Sequence, residues 1–204
     1  MRVGLLISGS GSNMAALIDA MLRDAGSAEP AIVISNNANV AGLTKAWDRG
    51  VPTAVIDHRP HGTDRASFEA DLNRALEDAG VDLIALAGFM RILTPGTIER
   101  WAGKMLNIHP SLLPLFKGLH THQRALDAGV AVHGCTAHVV TEELDSGPII
   151  GQAVVSVEAA DTADTLAARV LRQEHRLYPQ ALLAYAADPE GVLAAPLSLF
   201  PDTD

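Results

Sequence analysis

The chain has 204 residues, 48% hydrophobic and 19% charged, the balance of an ordinary soluble domain. Its 15 Lys and Arg against 24 Asp and Glu give a formal net charge of -9, which argues against a general nucleic-acid binder, because phosphate neutralisation needs clustered cations. The one cysteine, Cys135, leaves no internal disulfide and points to a reducing cytoplasm, and no apolar run is long enough to span a membrane.

In chain order, "RVGLLIS" predicts a first strand running into a Gly/Ser turn. "SNMAALIDAMLRDAG" follows at helical spacing with a stop at Gly26. "EPAIVISNN" predicts a second strand, "VAGLTKAWDRG" a helix and "VPTAVIDH" a third strand. "DRASFEADLNRALEDAG" carries an apolar stripe of Phe68, Leu72 and Leu76 and stops at Gly80. "VDLIALAGF" is continuously apolar, as a strand covered on both faces should be. "TPGTIERWAG" predicts a short helix and "KMLNIHP" a fifth strand. After residue 130, "VHGCTAHVV" and "PIIGQAVVSV" form a long hairpin around "TEELDSG", and a last helix covers "TADTLAARVLRQEHRLYPQALLAYAA". The alternation implies an α/β doubly wound, mostly parallel twisted sheet with helices on both faces and an antiparallel C-terminal hairpin. One domain over 1–204 is expected, with a nucleotide-binding-like first half. No linker or repeat interrupts it.

"SGSGSN" links the first strand to the first helix. Gly9 and Gly11 let the backbone turn sharply, and the free N–H groups of Gly11, Ser12 and Asn13 face an anion, assisted by the helix dipole. A dinucleotide loop would need glycine where Met14 stands and an acid after the second strand, which instead ends in "SNNAN". A P-loop would need G-K-[ST]. The loop therefore suits a single phosphate, or is a tight turn that binds nothing.

In "LNIHPSLLP", Asn107 and His109 lie two apart on a strand and share a face before Pro110 stops it. The pair is either a satisfied polar pair of the core or a catalytic pair. His58, His61, His120 and His122 lack Cys or carboxylates at ligand spacing and are expected to be exposed loop residues, with no metal. "KGLHTH" can still shape a cleft. His138 shares its expected face with Thr136 and Val140, and either lines a site or packs. Cys135 is expected to be a small buried residue. Arg91 sits at the carboxyl end of the fourth strand, the edge where open α/β sheets bind ligands.

"SGSGSN", "LAGFMRIL", "NIHPSLLP", "GLHTH", "GCTAHVVTEELDSGPII" and "QEHRLYP" occur in that order, and together the chain resembles the glycinamide ribonucleotide formyltransferases of purine synthesis. The resemblance runs from residue 1 to about Tyr185. It implies a Rossmann-like formyltransferase fold, glycinamide ribonucleotide as acceptor and 10-formyltetrahydrofolate as co-substrate, without metal. The family's catalytic residues fall on Asn107, His109 and Asp145, and its phosphate loop on Gly11, Ser12 and Asn13. Its folate contacts fall on Arg65, Met90, Arg91, Ile92, Leu93 and Asn107, and its acceptor-binding glutamate on Glu174. Some members carry a polar residue where this chain has Leu171.

The chemistry agrees with these residue types. Formyl transfer passes through a tetrahedral oxyanion that needs preorganised donors, which Asn107 and a protonated His109 would supply. A histidine can serve as acid and base near neutral pH, and a carboxylate from Asp145 would favour the imidazolium. Two relatives share this core. Methionyl-tRNA formyltransferase carries an additional C-terminal nucleic-acid-binding domain, and formyltetrahydrofolate hydrolase an additional N-terminal regulatory one. This chain is expected to have neither, since its first strand starts at Arg2 and it ends about twenty residues past the last helix. An NAD-dependent oxidoreductase is disfavoured by Met14, and a non-catalytic nucleotide-binding module is the remaining alternative.

Overall fold

A computed structural model describes residues 1–24 and 26–200. The chain divides into two compact units, Met1–Leu106 and Asn107–Asp204.

The first unit is built on β1 (Arg2–Ile7), β2 (Glu29–Ser35), β3 (Thr53–Val55) and β4 (Leu83–Leu86), all parallel, in the spatial order β3-β2-β1-β4. β4 is buried at every position and β1 at all but its first, so their near-continuous apolar runs reflect cover on both faces. Helices α1 (Ser12–Arg23), α2 (Ala41–Trp47), α3 (Arg65–Asp78) and α4 (Pro95–Arg100) connect the strands. α3 buries Phe68, Leu72 and Leu76, the predicted stripe, and Asp64 caps its N-terminus by accepting from the Ser67 N–H. The stop of α1 comes at Arg23, before the expected Gly26, because Asp24 is already extended.

Strand β5 (Met105–His109) runs across the point where the units divide. The second unit contains α5 (Thr121–Asp127), the antiparallel pair β6 (Val132–Val139) and β7 (Ile149–Ser156), the long α6 (Ala163–Ala187), a short α7 (Pro189–Ala194) and β8 (Leu197–Leu199), parallel to β7. The expected hairpin is therefore present. α6 packs on both of its strands with Leu166, Val170, Leu177, Ala181 and Leu182 buried. A capping box between Thr162 and Thr165 starts it, and it continues through Pro179. The sequence pattern shows neither α7 nor β8, which are too short to carry a period.

Candidate active site

β5 presents Asn107 and His109 on one face, as its alternation requires, and only His109 is fully buried. Asp145 reaches the same place from the loop between β6 and β7. Its Oδ2 lies 3.4 Å from His109 Nδ1 and its Oδ1 3.9 Å from His138 Nε2. It adopts φ 51, the left-handed region where Asp is tolerated, and is 8% exposed. The Gly118 N–H donates to Oδ2 at 2.8 Å and fixes the carboxylate. Lys117 Nζ ties down the same loop through Glu143 (3.1 Å) and the Ser146 hydroxyl. Gly147 is obligatory there, since a Cβ would lie 1.8 Å from the Val139 carbonyl oxygen.

His138 completes the cluster. Its Nδ1–H donates to the Val139 carbonyl at 3.0 Å, which leaves Nε2 bare to accept from Asn107 Nδ2 at 3.2 Å. Burial holds its pKa below the usual histidine value, so the neutral tautomer that this network needs is the stable one. The register of β6 on β7 shifts between Ala137 and His138. The Asn107 amide carries a second N–H beyond the one given to His138. His109 Nε2 in turn donates to the Phe116 carbonyl at 3.0 Å. Below the site, Thr136 Oγ1 donates to Ser111 O and accepts from the Leu113 N–H and from Gln152, which stiffens the HPSLLP turn.

In the first unit the glycine turn links β1 to the N-terminus of α1, as the sequence predicts. Gly11 caps α1 in the left-handed conformation at φ 66, and a Cβ there would meet Met14 at 2.7 Å and Gly42 at 2.8 Å. A cavity of about 250 Å³ is lined by Ser8 to Asn13, Ala87, Gly88 and Met90. "SNNAN" holds the loop: Ser8 donates to Asn36, and Asn37 donates to the Ser8 carbonyl. Lys45 Nζ donates to the Ser10 carbonyl at 2.9 Å and brings a cation to the loop, a feature the motif alone does not reveal. Met90 and Ile92 stand out from the loop after β4, 71% and 68% exposed, while Leu93 is buried, and Met90 N–H donates to Ser8 Oγ. Arg65 opens α3 and is exposed.

Glu174 lies in the second unit on α6 and is 7% exposed. Cys135 is buried, and burial pushes its thiol pKa far up, with Glu174 adding in the same direction, so it is no nucleophile at neutral pH. The histidines expected in exposed loops need correction: among them only His120 is exposed. His58 pairs with Asn36, His61 with Ser67, and His122 stacks edge-on against the buried His133, ring centroids 5.3 Å apart. α5, which carries His122, is too short to show a period in the sequence.

The sequence matches the family described as "Formyl transferase" over residues 1–182. This chain belongs to the formyl transferase family. It is 50% identical over 186 residues to the trifunctional purine biosynthetic protein adenosine-3 of Gallus gallus, covering 91% of this chain and 18% of that protein's length. It is 42% identical to the phosphoribosylglycinamide formyltransferase of Escherichia coli (strain K12), covering 91% of this chain and 87% of that one. A crystal structure of phosphoribosylglycinamide formyltransferase from Anaplasma phagocytophilum superposes with a TM-score of 0.87 at 41% identity, covering 99% of both chains. The Rossmann-like formyltransferase fold is thus the fold of this chain. Among its described residues, no helix is long and apolar enough to cross a membrane.

Proposed function

We propose that this formyl transferase moves the formyl group of 10-formyltetrahydrofolate to the amine of glycinamide ribonucleotide, in the cytoplasm, with its two units as halves of one domain. The observation that carries the reading is the convergence of Asn107, His109, Asp145 and His138 in one buried cluster. The folate supplies a formyl group activated for attack.

The chain's own groups do the rest. Asn107, its amide held by His138, aims one N–H at the oxygen that gains charge in the tetrahedral intermediate. Losing one such donor typically costs about 3–4 kcal/mol of barrier. His109 donates to the same oxygen and relays the proton that leaves the amine towards the departing nitrogen. Asp145 keeps the ring oriented and compensates its positive charge. The N–H groups of Gly11, Ser12 and Asn13, with Lys45 nearby, suit the acceptor's phosphate. The projecting Met90 and Ile92 beside Arg91 offer apolar surface to a flat heterocycle, and Arg65 an anion partner for the folate's acidic tail. Glu174, buried on α6, is the acceptor-binding group.

Purified protein given both substrates should consume the folate's formyl group only when the acceptor is present. Equal consumption without acceptor would identify a hydrolase instead.

A further inference from the structure

We propose that Phe116 is a positioning residue for His109: its backbone carbonyl keeps Nε2 protonated, and this leaves Nδ1 as the nitrogen that exchanges the proton in the reaction. The inference rests on the formyl-transfer reading for its kinetic arm only.

A carbonyl oxygen can only accept, so the 3.0 Å contact between His109 Nε2 and Phe116 O requires a proton on Nε2. Nδ1 is held more loosely. Asp145 Oδ2 stands 3.4 Å away, beyond the roughly 2.7–2.9 Å of a charge-assisted bond, and already accepts from the Gly118 N–H at 2.8 Å. The ring thus has one anchored nitrogen and one that can swing a proton between carboxylate and substrate. Such loose contacts commonly tighten when substrate binds.

The carbonyl points at the ring because Phe116 sits at φ 55, a left-handed conformation unfavourable for a bulky residue without a compensating hold. The hold comes from its side chain. The ring packs edge-on against His133, centroids 5.9 Å apart, and lies 5.6 Å from the Arg124 guanidinium. His133 is buried and hydrogen-bonded to the backbone of Pro110, the residue after His109. Arg124 also donates to the carbonyls of Lys117 and Leu119, and Ser111 Oγ to that of Leu115, so the turn is braced on both sides. Lys117, next in sequence, bonds Ser146 beside Asp145. The side chain of Phe116 therefore ties the turn that carries the Nε2 acceptor to the strand that carries the histidine.

The test is ring ¹⁵N NMR of His109 in the full chain, assigned by difference with His109→Asn, beside kinetics of Phe116 variants. In the wild type the Nε2 signal should keep a protonated-type shift at every pH, while Nδ1 alone moves. Phe116→Tyr retains the ring and should stay within about twofold of wild-type kcat. Phe116→Gly loses the clamp but adopts positive φ freely and should fall a few-fold. Phe116→Val combines a lost clamp with a residue averse to that conformation. Its kcat per folded molecule should fall roughly tenfold or more at unchanged KM, the scale of a misplaced catalytic group, and its Nε2 signal should shift towards a tautomer mixture. A wild-type neutral ring with its proton on Nδ1 overturns the proposal, whether or not any variant folds. So does a Phe116→Val protein whose kcat and nitrogen shifts match the wild type while only its melting temperature drops. If wild-type protein shows no formyl transfer, the function reading fails separately, and the nitrogen shifts still decide the anchoring.

Discussion

Replacing Asp145 by Asn changes one charge in a buried cluster and little else in shape. The side chains of Asp145 and His109 are 6% and 7% exposed and 3.4 Å apart. A unit charge pair near this separation is worth about 1 kcal/mol in water and about 4 kcal/mol at the effective dielectric typical of proteins. Their burial places this pair towards the larger value. An Asn in place of Asp145 can still accept from the Gly118 N–H through its oxygen. Its NH₂ then faces His109 Nδ1 and opposes a proton there, so the imidazolium loses both its counter-charge and its acceptor. About 3 kcal/mol of transition-state stabilisation corresponds to roughly a 10²-fold fall in kcat. Both KM values should stay within about threefold, since uniform binding is not what the carboxylate supplies. The unfolding midpoint should move by less than about 5 °C, because the loop keeps its Gly118, Lys117 and Ser146 ties. Steady-state kinetics in each substrate, with a thermal melt on the same preparation, make the measurement. Turnover near the wild-type rate would refute the Asp–His pairing and leave Asp145 as a structural loop residue.

Asn107→Ala should lower kcat and kcat/KM together, by roughly 10²–10³-fold, and a change in KM alone would make Asn107 a binding group. Gly11→Val should strongly raise the acceptor KM while leaving folate binding nearly unchanged, but its Cβ clash with Gly42 will also lower stability, so Ser12→Asp is the cleaner probe. That acid suits a helix N-terminus but repels phosphate, so the acceptor KM should rise about tenfold or more with an unchanged melt, and equal weakening of both substrates would contradict the phosphate assignment. Burial holds the His133 pKa down to about 4, with His122 adding to the effect and His138 lowered as well, mainly by burial. Between that value and the ordinary histidine range the unfolded chain binds more protons, so stability should be full above about pH 6.5 and fall as pH drops towards 4. The urea midpoint of His133→Asn should lose part of that dependence, and parallel curves would exclude His133 as a source.

The sequence carried much of this site because its positions follow from simple periods. Two-residue alternation puts Asn107 and His109 on one face, and a strand, a glycine turn and a helix in succession leave the N–H groups of a helix start at the turn. The alternating strand and helix runs gave the parallel sheet for the same reason. Asp145 lies thirty-six residues beyond His109, and no local rule predicts their contact; the ordered motifs of the family did that. Other features arise only from tertiary packing. His138 meets Asn107 across thirty-one residues of sequence, a contact that no local period predicts. Phe116 carries its carbonyl at a positive φ that nothing in "SLLPLFKG" announces. Lys45 meets Ser10 only once α2 packs beside α1. His122 is half-buried because His133 lies against it, a contact across eleven residues with no sequence period.

The most direct test of the formyl-transfer reading is to follow a ¹³C-labelled formyl group by NMR. Purified protein is mixed with labelled 10-formyltetrahydrofolate, with and without glycinamide ribonucleotide. The label should appear as an N-formyl signal on the acceptor, stay on the folate when acceptor is left out, and stop moving in His109→Ala. Label released as formate at the same rate with or without acceptor, or no movement at all in the wild type, would contradict the assignment.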